Sequence, residues 1–123
     1  MDNFCIEKSA KSSFQLDDES LHPFVLQTSI KRAYDLLLEK VKETEYLDII
    51  EDRDYWEIYI QRSEELEVTY YLVDEKNGNT RVVMLIYTPN KRGRAKKILR
   101  NLIEEHKKDF SKYLCHHAVH DNN

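Results

Sequence analysis

The chain has 123 residues, 41% of them hydrophobic and 34% charged, which is the size and composition of one globular domain. No apolar run approaches the ~18 residues that a membrane-spanning helix requires, and a start with Asp2 and no apolar core segment does not read as a secretory signal. A net charge of −4 argues against a general nucleic-acid binder, and two cysteines near opposite ends, Cys5 and Cys115, without a CxxC spacing, point to a reduced cytoplasmic setting, one terminal disulfide being the alternative.

Residues 1–22 alternate weakly, with Phe4 and Ile6 and then Phe14 and Leu16 around a Lys/Ser-rich middle. They read either as an edge strand or as a loosely attached arm, with a turn at 17–20. Pro23 restricts His22 to extended geometry, and a short strand over 24–26 follows. Thr28 or Ser29 is placed to cap a helix. In that helix Ile30, Ala33, Tyr34, Leu37, Leu38 and Val41 recur at helical spacing and make one apolar stripe.

The period then changes to two. Leu47 and Ile49 alternate with acids in a short strand, and 51–54 form a charged turn. In the next strand Trp56, Ile58 and Ile60 oppose Tyr55, Glu57 and Tyr59. After it Leu66, Val68, Tyr70 and Leu72 oppose Glu67, Thr69 and Tyr71. Asn77-Gly78 is a favoured hairpin pair because glycine accepts positive φ. The strand over 80–88 is apolar on both faces, with Val82, Met84 and Ile86 against Val83, Leu85 and Tyr87, as expected of a covered or central strand. Pro89 ends it, and Asn90 is the expected cap of a last helix whose stripe runs Ala95, Ile98, Leu99, Leu102, Ile103, His106 and Phe110, extended by Tyr113 and Leu114.

The predicted fold is therefore α+β: a helix, a four-stranded antiparallel meander and a long C-terminal helix, with both helices on one face of the sheet. One domain spans 1–114, and 115–123 is a frayed, flexible tail. The order of elements resembles part of the helix-grip arrangement, in which a curved sheet wraps a C-terminal helix, and also the cystatin-like arrangement of a helix on a meander. That likeness rests on order alone and implies no function.

Four features bear on chemistry, each with a plainer rival. Six cations fall within ten residues: Lys91, Arg92, Arg94, Lys96, Lys97 and Arg100. Cations at a helix start oppose its dipole, so Lys91, Arg92, Arg94, Lys97 and Arg100 form a candidate anion site. The favoured reading is a solvated patch paired with the acids of 43–57, Glu51, Asp52 and Asp54 among them. Tyr55, Tyr59, Tyr71, Leu85 and Tyr87, with Val83, form a candidate interface on the sheet face away from the helices. Glu57 and Glu67 on that face speak against nucleic acid and for a protein partner or a second copy; cover by the N-terminal strands is the alternative.

Cys115, His116, His117 and His120 have metal-binding side chains, but a zinc site draws ligands from two segments and here there is one; a frayed tail is the favoured reading. No Gly-rich phosphate loop, GxSxG or HExxH motif is present, and no nucleophile, base and orienting group converge, so no catalytic residue and no cofactor are assigned. His106 reads as a core histidine. The leading functional expectation is a non-catalytic interaction module. Next is a small-ligand binder or enzyme with a pocket between sheet and last helix lined by Trp56, Tyr70, Met84 and His106. Third is an anion or nucleic-acid binder using the basic run.

Overall fold

The computed structural model describes residues 8–89 and 93–114. Its elements are β1 (Ser9–Lys11), a 3-10 turn (Glu19–Leu21), β2 (Phe24–Leu26), α1 (Ile30–Lys42), β3 (Asp48–Asp52), β4 (Glu57–Ser63), β5 (Leu66–Asp74), β6 (Thr80–Tyr87), α2 (Ala95–Asp109) and a second 3-10 turn (Ser111–Tyr113). The architecture is α+β, with two helices and one six-stranded antiparallel sheet. β3 to β6 form the expected meander, each strand beside the next.

The two N-terminal strands share one place in the sheet. β1 pairs with the end of β6 (Ser9 opposite Tyr87, Lys11 opposite Leu85), and β2 pairs with its beginning (Phe24 opposite Val82, Leu26 opposite Thr80). They are one edge strand interrupted by an excursion over 12–23. Ser12 marks where the chain leaves: its N–H donates to the Met84 carbonyl at 2.9 Å, and its Oγ accepts from the Met84 N–H at 2.9 Å. A side-chain oxygen thus replaces the backbone acceptor that the departing chain withdraws. Phe14 and Leu16, whose alternation suggested a strand, lie in this excursion and are exposed. Asp18 accepts from the Ser20 N–H and caps the 3-10 turn, which buries Leu21.

Period-two alternation places Ile58, Ile60, Val68, Tyr70, Leu72, Val82, Met84 and Ile86 on one face, all buried. The stripes of both helices close over the same face and share its core. Each such aliphatic side chain contributes roughly 1.5–3 kcal/mol on burial, so the shared face holds the helices more firmly than their intrinsic propensity does. Ser29 is the N-cap of α1, its Oγ accepting from the Arg32 N–H.

Two elements differ from expectation at their ends, α2 at both. β4 begins at Glu57, leaving Tyr55 and Trp56 in the turn. α2 begins at Ala95, after Gly93 at φ 76°, with Arg94 in the cap position and no side chain capping it; Asn90 lies outside the described residues. Tyr113 and Leu114 do not extend α2. The chain turns back, the Tyr113 carbonyl accepts from the Gln27 N–H, and Leu114 bridges to Leu26. The Asn77-Gly78 pair sits in the β5–β6 hairpin as expected, with Gly78 at φ 88°.

Candidate functional site

The sheet face opposite the helices is left uncovered by them and carries several aromatic and aliphatic side chains. Cross-strand registers arrange it in rows. One runs Lys11, Leu85, Thr69, Tyr59, Ile50 from β1 to β3; the next runs Val83, Tyr71, Glu57, Asp52. Tyr59, Tyr71, Val83 and Leu85 are partly exposed, while Tyr87 and Ile50 are exposed. The Lys11 ammonium stands 5.5 Å above the Tyr71 ring. Partial burial, then a hydrogen bond to Glu67, raises the Tyr59 hydroxyl above the ordinary tyrosine range. At the β1 end a groove of about 280 Å³ opens between the excursion and β6, lined by Lys11, Ser12, Ser13, Phe14, Pro23, Arg81 and Val83.

Of the predicted interface set, Tyr59, Tyr71, Leu85 and Tyr87 do share this face. Tyr55 does not: it is 73% exposed in the β3–β4 turn. The Asp52 carboxylate accepts the N–H groups of Asp54 and Tyr55, bending the chain early, and Trp56 takes φ 55°. That left-handed residue interrupts the strand alternation before Glu57. Trp56 is only partly buried, its ring edge-on to Tyr34 at 5.4 Å. Trp56→Ala is therefore expected to cost about 1–3 kcal/mol, below the 3–5 kcal/mol of a fully buried aromatic. Trp56→Gly should cost no more than alanine, because glycine relieves the positive φ. Urea denaturation of both variants measures the difference.

Tyr70, Met84 and His106 do come together, but as core. Tyr70 opposes Met84 across β5 and β6, and its hydroxyl is hydrogen-bonded to His106 Nε2 at 2.7 Å. Phe24 and Phe110 pack around the imidazole. Burial holds His106 down at about 4, against the pull of Asp109, whose Oδ2 is 3.5 Å from Nδ1. Burial likewise pushes the Tyr70 hydroxyl up. Trp56 stands apart from them, at the β3–β4 turn. A second groove, about 350 Å³ between α1 and the 110–113 segment, and a third, about 320 Å³ beside β1 and α2, include none of these four residues in their walls.

The basic run is divided. Lys91 and Arg92 lie outside the described residues, and Arg94, Lys96 and Lys97 are exposed. Arg100 is engaged internally: Nη2 is 2.9 Å from Asp18 Oδ2 and Nε donates to Ser20 Oγ at 2.8 Å. Hydrogen bonds from Ser20 and then Arg100 hold the Asp18 carboxyl at about 2. Among the described cations of this run, Arg100 pairs with the excursion rather than with the acids of 43–57. Among those acids, Glu51 pairs with Lys42, while Arg53 pairs with Asp35. Both ion pairs tie to α1. Cys115, His116, His117 and His120 lie outside the described residues, and among the described ones no three metal-binding side chains converge.

Compared with protein-family models, with curated proteins and with solved structures, the chain matches none.

Lys11 and Ile50 belong to the open face and were not legible as such. Lys11 enters through its pairing with Leu85, a contact between segments 74 positions apart. Ile50 was masked by its neighbour: consecutive Ile49 and Ile50 send one side chain to each face, and the alternation singled out only Ile49.

Proposed function

We propose that this chain is a protein-interaction module that associates with a second copy of itself through the open sheet face. The observation that carries this reading is the concentration of Tyr59, Tyr71, Val83, Leu85, Tyr87 and Ile50 on the side away from both helices. A solvated sheet face needs no more than polar residues there, whereas tyrosine supplies large contact area at low entropic cost and is enriched at interfaces.

Size decides the expected strength. Five strands about 4.8 Å apart, each contributing about seven residues of about 3.3 Å, outline roughly 550 Å² per copy. The pair would bury roughly 1,100 Å², at the low end for a specific complex. Sedimentation equilibrium of the wild type is therefore expected to show reversible dimers with Kd of about 1–100 µM. Tyr71→Glu should be monomeric across that range while melting within a few degrees of the wild type, because Tyr71 faces away from the core. A wild type that stays monomeric at several hundred micromolar refutes the reading.

A further inference from the structure

The open face is electrically polarised across its strands. Lys11 on β1 and Arg81 on β6 mark one side, Glu57 on β4 with Asp48 and Asp52 on β3 mark the other, and Glu67 on β5 stands between them. Arg81 is partly neutralised by Glu75, 2.7 Å from its Nε. Among the described residues, Lys11, Asp48 and Glu57 have no ion-pair partner on their own chain.

Resting on the self-association above, we infer that two copies stack with their twofold axis parallel to the strands and close to β5, so that β3 of each lies over β1 of the other. Two sheet faces can be related by a twofold axis running along the strands or across them. An axis across the strands lays β3 on β3 and sets the acidic cluster of Asp48, Asp52 and Glu57 against the same cluster of the second copy, whereas an axis along β5 brings only Glu67, among the acids of this face, against its own copy. Like charges juxtaposed in this way are strongly disfavoured. An axis along the strands reverses strand order between copies. Lys11 then falls over Ile50 of the second copy, flanked by Asp48 and Asp52, and Leu85 falls over Tyr59. Each contact occurs twice by symmetry.

The same placement gives Tyr55 an occupation. The Val73–Arg81 row lies one step beyond the Tyr71–Val83 row, level with the β3–β4 turn. With strand order reversed, that turn of one copy reaches the groove of the other. An aromatic ring 73% exposed on its own chain meets a groove walled by Phe14, Pro23 and Val83, with Lys11 and Arg81 at its sides. The Arg81 guanidinium already lies 5.7 Å from the Phe14 ring, so the groove combines apolar walls with a cation suited to a phenol.

Sedimentation of the full chain tests this with Lys11→Glu, with the double variant Asp48→Lys/Glu57→Lys, with an equimolar mixture of the two, and with Tyr55→Ser. Each charge variant alone is expected to weaken self-association about tenfold, since every change acts at two symmetric contacts. The mixture should recover to within about threefold of the wild type, because both contacts are then attractive. Tyr55→Ser should weaken association about tenfold with the melting temperature unchanged. Dimers that Tyr71→Glu dissociates but the charge variants and Tyr55→Ser leave intact would overturn this arrangement and leave the self-association standing. A monomeric wild type removes both.

Discussion

Replacing Tyr34 with alanine is expected to lower stability by about 3–5 kcal/mol, a large part of the roughly 5–15 kcal/mol that holds a domain of this size. Tyr34 is fully buried on α1, and it does more than fill space. Its hydroxyl donates to the Glu57 carbonyl at 2.8 Å and accepts from the Asp52 N–H at 3.1 Å. One side chain thereby closes the β3–β4 turn from the core side, while the Arg53 guanidinium lies over its ring at 4.7 Å. Tyr34→Phe isolates the polar part. It leaves the Asp52 N–H and the Glu57 carbonyl without this partner and should cost about 1–3 kcal/mol. Faster amide exchange in β3 should accompany it, because β3 has no buried residue and lies at the edge of the sheet beside β4. A neutral Tyr34→Phe in urea denaturation, with β3 exchange unchanged, would show that water replaces the hydroxyl and that the clamp is dispensable.

Acidification is expected to destabilise the fold by about 3 kcal/mol between pH 6.5 and pH 4, through His106 alone. Burial lowers this imidazole from 6.5 to about 4 in the folded state. Between those values the unfolded chain binds a proton that the folded chain refuses, so stability falls as pH falls. The loss begins near pH 6.5 and is complete near pH 4, below which both states are protonated. The span from 6.5 to about 4, at about 1.36 kcal/mol for each step of one in pH, sets its size. The groups acting on the imidazole are Asp109, which favours its charge, and Arg62 and Lys40, which oppose it. Asp18 titrates in a separate window: its stabilisation is present above 3.8 and is lost as pH falls through about 2. Denaturant midpoints at pH 7 and pH 4.5 check the prediction against the double variant Tyr70→Phe/His106→Leu, which removes the imidazole without orphaning the hydroxyl. The wild type should lose more between the two pH values than the variant does. Equal losses would mean that water reaches His106 and that burial does not govern its charge.

Local periodicity was enough to place the helices, the meander and the core. The stripes of α1 and α2 and the alternation in β4, β5 and β6 are statements about neighbouring residues, and burial selects those spacings wherever one face meets a core. Four residues of the predicted interface set, Tyr59, Tyr71, Leu85 and Tyr87, stand together on the face away from the helices for the same reason. Tyr55 departed from it because a turn, set by the Asp52 carboxylate and by Trp56 at positive φ, is decided over three or four residues by hydrogen bonds that a period does not record. The basic run gave its charge but not the partner of Arg100, which reaches Asp18 across 82 positions of chain.

The sequence by itself determined which residues turn inward and that the class is α+β. Only the tertiary structure decided that 9–11 and 24–26 share a single edge beside β6, that Lys11 joins the tyrosine face, and that Lys11 and the acids of β3 stand on opposite sides of it. Strand order and register join segments far apart in the chain. They are fixed when a whole sheet closes on both helices at once, and no short stretch of residues carries that information.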